Sequence, residues 1–224
     1  MKRLLNLKFN KIKRDNSVNH TDIINYLIKQ NNYNSYLEIG LDDGRCFVFV
    51  ECENKYCVDP FTEFKDLIQN EDMIPPCLTW RMTSDELFAQ TEQKFDIIFV
   101  DGMHKEDFAG RDIINGLKHL NKGGRIVVHD CIPLNYEAQL VPRIVGGWNG
   151  DVWKAITMLH EQGIDFKTVD TDCGCCIIEY HENPQDLVFP NKSKLTYDEM
   201  IADRDNILHV ISVEEFLELY KKQS

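Results

Sequence analysis

Lys94 to Cys131, KFDIIFVDGMHKEDFAGRDIINGLKHLNKGGRIVVHDC, reads as strand, acidic loop, helix, glycine turn and second strand. Phe95 to Val100 and Arg125 to Val128 are continuous apolar runs rich in β-branched residues, which suits parallel strands buried on both faces. The helix between them, Asp107 to Leu120, carries Phe108, Ile113, Ile114, Leu117 and Leu120 as an apolar stripe, and Gly123 and Gly124 are placed to end it. Asp101 and Asp130 therefore follow equivalent strand ends. In an open α/β sheet, ligands bind in the crevice outside the carboxyl ends of the strands, so this stretch alone proposes a site.

Working outward, 224 residues at 43% hydrophobic and 28% charged can bury one sizeable core, predicting a single domain with terminal extensions. A net charge of −12 argues against a nucleic-acid partner, which would need clustered Lys and Arg to neutralise phosphates. Lys2, Arg3, Lys8, Lys11, Lys13 and Arg14 form a basic arm that reads as solvated. No apolar run has the length of a signal-peptide core or a membrane span, so a cytoplasmic protein is expected. The eight cysteines lie mostly in apolar strand-like segments and read as reduced core thiols. Cys173, Cys175 and Cys176 lack the paired spacing of a zinc site, and strand alternation sends Cys175 and Cys176 to opposite faces.

Before the central stretch, apolar positions at Ile23, Ile24, Leu27 and Ile28 predict a helix from His20 to Gln30, with Thr21 placed to cap it. Tyr36 to Gly40 is a short strand breaking into a glycine turn, Leu41 to Gly44. Lys55 to Val58 is a second strand ending at Asp59, an acidic residue positioned to accept ribose hydroxyls. The segment between, Arg45 to Asn54, is too short and β-branched for a full crossover helix, so an abbreviated helix or an extended link is expected. Phe61 to Asn70 reads as a helix. Cys77 to Met82 reads as a third strand, followed by Thr83, Ser84 and Asp85 at the start of a helix through Gln90.

After the central stretch, Cys131 to Gly150 is a long connection rich in apolar residues, the composition of a lid or substrate wall. Asp151 is placed to open a helix from Val152 to Gln162 that Gly163 closes. Ile164 to Val169 and Cys175 to Tyr180 are joined too tightly for a crossover and must pair antiparallel. The tail holds helices at Tyr197 to Asp203 and, capped by Ser212, Val213 to Lys222. The expected organisation is an N-terminal arm and helix over 1–34, a main domain over 35–182 and a helical extension over 183–224.

YLEIG followed by Gly44, VDP at Val58 to Pro60, and FDIIFVDGMH with GGRIVVHDC resemble class I S-adenosylmethionine-dependent methyltransferases. The closer resemblance is to the bacterial and viral branch grouped with sugar and small-molecule O-methyltransferases. It is carried by Val100 to His104, His129 to Pro133 and Trp148 to Lys154. The resemblance implies a Rossmann-like α/β fold: a seven-stranded sheet in order 3-2-1-4-5-7-6, strand 7 antiparallel, with helices on both faces. It also implies that Glu38, Gly40 and Gly44 contact the methionine part of S-adenosyl-L-methionine, Asp59 the ribose, and Ser84 and Asp85 the adenine side, with Asp101 lining the same site. Asp42 and Asp43 stand where a second glycine is frequent in the family.

Methyl transfer to oxygen needs the acceptor held in line and its proton removed. His104, Asp101, His129 and Asp130 are the groups within reach. His104 is the first choice as base because an ordinary imidazole titrates near working pH. Asp101 and Asp130 either orient the base and acceptor or hold Mg2+ or another divalent ion, and Cys131 is a poor partner for a hard ion. Trp148, Asn149 and Trp153 either line the acceptor side or, for the tryptophans, pack the lid against the helix. The expected partner is a small-molecule or sugar acceptor, with no nucleic acid or membrane, and the chain is compatible with a homo-oligomer. The competing readings are an NAD- or nucleotide-sugar-dependent oxidoreductase, disfavoured by the missing G-x-G-x-x-G, and a non-catalytic binding module.

Overall fold

The structure is a computed structural model describing residues 18–60, 79–188 and 192–222. The basic arm, the helix expected over 61–70 and the segment from Pro75 to Cys77 lie outside these residues.

Helix α1 (His20–Asn31) leads into β1 (Ser35–Ile39), α2 (Arg45–Phe49) and β2 (Asn54–Val58). Then follow α3 (Ser84–Phe88), β3 (Phe95–Val100), α4 (Glu106–Lys118), β4 (Leu120–Val128) and, past the long connection, α5 (Val152–Thr157). The chain closes with β5 (Phe166–Val169), β6 (Cys175–Glu179), α6 (Tyr197–Ala202), α7 (Arg204–Ile207), β7 (Val210–Ile211) and α8 (Val213–Leu219).

The strands form one seven-stranded sheet in order β2-β1-β3-β4-β6-β5-β7. β2, β1, β3 and β4 run parallel, and β6 is antiparallel to both β4 and β5. The central apolar runs bury both faces. Ile98, Val100, Ile126 and Val128 pack towards α4 and α5, while Ile97, Phe99 and Val127 pack towards α1 and α8. This alternation is why both strands read as unbroken hydrophobic segments. It also separates Cys176 from Cys175, which fall in the opposite layers as expected.

The Rossmann-like α/β arrangement matches the expectation, with a difference at each edge. Of the third strand expected over Cys77 to Met82, the described residues make only a single bridge, Trp80 to Val58. The seventh strand is instead β7, from the tail, pairing parallel with β5 through Thr168 and Val169. Two residues are too few for any periodic signal, so only the finished edge of β5 reveals them. Among the described residues no helix is long and apolar enough to cross a membrane.

Local details refine the sequence reading. Asn19, not Thr21, caps α1: its side chain accepts from Asp22 N at 3.1 Å, and Asp22 returns the bond to Asn19 N at 3.2 Å. The abbreviated helix between β1 and β2 is present as α2, one turn long. Gly123 and Gly124 do not end α4 but already lie within β4, where a Cβ on Gly124 would sit 2.7 Å from the Asp96 carbonyl oxygen. Phe108 leaves the buried stripe, which centres on Ala109, Ile113, Gly116 and Leu117, and its ring lies under the Arg111 guanidinium.

Asp151 precedes α5 as expected but makes no cap bond to it. Its carboxylate accepts from Glu106 N at 2.7 Å, capping α4, whose own cap residue Lys105 supplies no side-chain bond. Asp151→Ala should therefore cost about 1 kcal/mol, read as a lower urea midpoint with an unchanged slope.

Candidate functional site

Register across the parallel strands aligns Ile39 with Val58 and with Val100, and Val100 with Val128. The ladder continues one residue past each strand. Gly40 N donates to Val58 O at 3.1 Å, Asp101 N to Ile39 O at 2.9 Å and His129 N to Val100 O at 3.1 Å. Gly40, Asp59, Asp101 and His129 thus form a row along one rim of the sheet.

Gly40 adopts φ +87°, and a Cβ there would lie 2.2 Å from the Asp101 carbonyl oxygen, so only glycine permits this approach. Gly44, also left-handed at φ +75°, opens α2 and closes the turn through N–H to Leu41 O at 2.7 Å. Asp59 accepts from Leu41 N at 2.8 Å, tying the rim of β2 to the turn after β1. Glu38 is buried and accepts the Tyr36 hydroxyl; burial, then the Glu38 charge, pushes that phenol well above its usual range.

On the next loop, Ser84 donates to Asp112 at 2.5 Å and Asp85 pairs with Arg111 at 3.0 Å, while Thr83 provides the cap of α3. Burial, opposed by the Ser84 bond and helped by the Asp85 charge, raises Asp112 to about 7. Asp112 was not singled out in the sequence because it lies on the inner face of an ordinary amphipathic helix.

The centre of the crevice is a set of alternating imidazoles and carboxylates. His104 Nδ1 lies 3.0 Å from Asp130 Oδ2 and 2.8 Å from Trp148 O, and its Nε2 lies 3.4 Å from Asp101 Oδ1. His129 Nδ1 lies 3.3 Å from the same Asp101 oxygen, and its Nε2 lies 2.8 Å from Asp172 O. Every ring nitrogen faces an acceptor, an arrangement that only a doubly protonated imidazolium satisfies. Burial alone would lower His104, but the Asp101 bond and the charges of Asp130 and Asp101 outweigh it and raise the group to about 9. His129 rises likewise, against burial, chiefly through Asp101. Asp101 is held well below the usual carboxylate range, because the histidines overcome the burial that would raise it. Asp130, 5% exposed and with φ +61°, is raised, burial prevailing over the two histidines.

Two readings of the tryptophans separate here. Trp148 stacks on His104 with ring centres 5.4 Å apart and donates to Leu140 O at 2.7 Å, so it walls the crevice. Trp153 is 0% exposed in the α4–α5 core and lines no acceptor surface, which corrects that expectation. Its position on the inner face of α5 is the cause. Asn149 donates to Asp130 at 2.6 Å and accepts from Leu134 N at 3.0 Å, so its amide is spent on the lid. Cys131 is buried, with its Sγ bonded to Val128 O and His129 O.

The histidines predict a pH dependence. His104 is raised on folding, so its contribution to stability is fully present below its unfolded value of about 6.5 and is lost as pH rises through about 9. A loss of up to about 3 kcal/mol between pH 6.5 and 10 is expected from its shift alone. Urea unfolding at pH 6.5, 8 and 10 checks it; an unchanged free energy across that window contradicts the ion pairing.

Residues 37–131 match the family model described as a methyltransferase domain. No curated protein matches the chain. Among solved structures, a putative O-methyltransferase from Klebsiella pneumoniae is 13% identical with a TM-score of 0.53, covering 79% of this chain and 86% of its own. An O-methyltransferase from Bacillus cereus in complex with SAH is 14% identical with a TM-score of 0.52, covering 80% and 89%. The O-methyltransferase TomG from Streptomyces achromogenes, involved in tomaymycin synthesis and solved with SAM, is 15% identical with a TM-score of 0.51, covering 80% and 87%.

Residues 37–131 thus resemble a methyltransferase domain, and the sheet with its rim of strand-end residues shares the fold of solved O-methyltransferases. At 13–15% identity the solved structures carry the fold and leave the acceptor to be read from this chain's own crevice.

Proposed function

We propose that the protein transfers a methyl group from S-adenosyl-L-methionine to a hydroxyl of a small metabolite. The observation that carries this reading is the row of Gly40, Asp59 and Asp101 on adjacent strand ends, beside the His104 cluster.

The cofactor supplies a methyl group activated on a sulfonium. Asp59 holds the ribose hydroxyls, the turn from Gly40 to Gly44 gives backbone access to the methionine part, and Ser84 and Asp85 flank the adenine side. Glu38, buried beneath the turn, supports it through the first strand. His104 accepts the acceptor's proton, and Asp101 and Asp130 orient its ring while His129 fixes Asp101. At rest His104 is protonated; it gives up that proton more readily when a cationic sulfonium shares the charge of Asp101. Activity limited by His104 therefore rises with pH towards about 9.

A divalent ion fits the same residues. Ligand atoms of Asp101, His104 and Asp130 all lie within 4.8 Å of one another. Two carboxylates and an imidazole suit manganese, iron or zinc better than magnesium, and such an ion would supply Lewis acidity to the acceptor oxygen.

Of the two acceptor classes expected, the lid supports the small metabolite over the sugar. Leu134, Tyr136 and Ile144 are exposed on it, and the Asn149 amide that would read sugar hydroxyls is committed to Asp130. This favours a hydroxyl carried on an apolar or aromatic skeleton.

Calorimetric titration with S-adenosylhomocysteine tests the cofactor: binding is expected, weakened at least about 10-fold in Asp59→Ala on loss of one charge-assisted contact. Absence of binding at millimolar ligand sinks the reading. Labelled cofactor offered with panels of phenols, aliphatic alcohols and sugars, with and without manganese and a chelator, then separates the acceptor classes.

A further inference from the structure

On the side of His129 remote from His104 lies a second cluster. It joins the first residue of α1, His20, the residue after β4, His129, and Asp172 in the turn between β5 and β6. His20 Nδ1 lies 2.6 Å from Asp172 Oδ2, and His20 N donates to the same oxygen at 2.9 Å. His129 Nε2 lies 3.6 Å from Asp172 Oδ2 and 2.8 Å from the Asp172 carbonyl oxygen. The His20 ring is stacked on Phe99 with centres 5.3 Å apart and meets the His129 ring edge-on at 4.7 Å. One ligand atom from each of the three side chains lies within 4.8 Å of the others, and the side chains remain 24%, 13% and 30% accessible.

We propose that His20 Nδ1, His129 Nε2 and Asp172 Oδ2 form a binding site for a borderline divalent cation of the zinc, cobalt or nickel type, distinct from the Asp101–His104–Asp130 cluster and joined to it through His129. Two imidazoles and one carboxylate are a donor set for such ions, and three protein ligands leave a coordination position open to solvent. Bond lengths of about 2.0–2.2 Å place tetrahedral ligand atoms roughly 3.3 Å apart. The observed spacings of 2.6 and 3.6 Å straddle that value, and the third pair, His20 and His129, lies within 4.8 Å. The Asp172 carbonyl oxygen lies at the same edge as a further donor.

The other nitrogen of His129 faces Asp101 at 3.3 Å, completing the carboxylate–histidine–metal arrangement that orients a ligating ring. Binding replaces the protons now shared with Asp172. The cation would tie the start of α1 to the strand end next to Asp101, joining segments 109 to 152 residues apart in sequence.

Co2+ titration of the chelator-treated full chain, followed by visible d–d absorption and calorimetry, tests the site. It is independent of cofactor binding. Wild type and Asp130→Asn, which disables the Asp101–His104–Asp130 cluster, should both bind one equivalent that His20→Ala lacks. The His20 ring protons of the wild type should broaden on Co2+ addition. Equal Co2+ stoichiometry in wild type and His20→Ala, or no uptake at all, overturns the proposal. If His20→Ala fails to fold, unbroadened His20 signals in the wild type overturn it instead.

Discussion

Asp101→Asn is expected to lower the His104 imidazole from about 9 towards its ordinary value and to cost the protein about 3–5 kcal/mol. One oxygen of this carboxylate serves both histidines, at 3.3 Å from His129 and 3.4 Å from His104. An amide of the same size keeps the volume and removes the charge, so the two partly buried imidazoliums lose their shared counter-ion. They then either stay charged, destabilising the fold, or give up protons. With His104 as the proposed base, methyl transfer should fall by about 10²–10⁴-fold as that ring loses its orientation. NMR titration of the histidine rings together with urea unfolding reads both consequences; a His104 titration unmoved by the substitution contradicts the pairing.

The second large effect is at Gly40. Alanine there would place its Cβ 2.2 Å from the Asp101 carbonyl oxygen and 2.7 Å from the Gly102 Cα, both backbone atoms that cannot rotate away. The residue is also left-handed, which adds about 1–2 kcal/mol for any side chain. The ends of β1 and β3 must part, and a displacement near 1 Å at a positioning site costs about 100-fold. Gly40→Ala should therefore lose S-adenosylhomocysteine affinity by about that factor or more, measured by calorimetry. Gly123→Ala is the control: its φ is similarly positive, at +79°, but its Cβ would meet nothing within 4 Å. It should cost only about 1–2 kcal/mol and leave binding unchanged. Equal behaviour of the two variants would show that backbone conformation, not the approach of the strands, governs Gly40.

Much of the crevice was legible before any coordinates. Asp59, Asp101 and Asp130 each stand directly or nearly directly after an apolar run, and parallel pairing leaves such residues on one rim. The antiparallel β5 and β6 followed from a turn too short for a crossover. Less legible were features depending on who faces whom. Asp151 reads locally as a cap for the helix it precedes, yet its carboxylate reaches Glu106. Trp153 and Trp148 look alike in sequence, but the first sits on the inner face of α5, in the core, and the second in the connection before it, against His104.

By itself, then, the sequence determined the parallel centre of the sheet and the rim on which its strand-end carboxylates line up. Continuous apolar runs suit parallel strands buried on both faces, and a carboxylate after each run needs no long-range information. Tertiary structure alone decided the protonation of His104, the two-residue β7 and the meeting of His20, His129 and Asp172. Those depend on groups brought within hydrogen-bonding distance from remote segments, as His20 and Asp172 are across 152 positions. The electrostatic environment that sets a proton's affinity exists only once the sheet has assembled them.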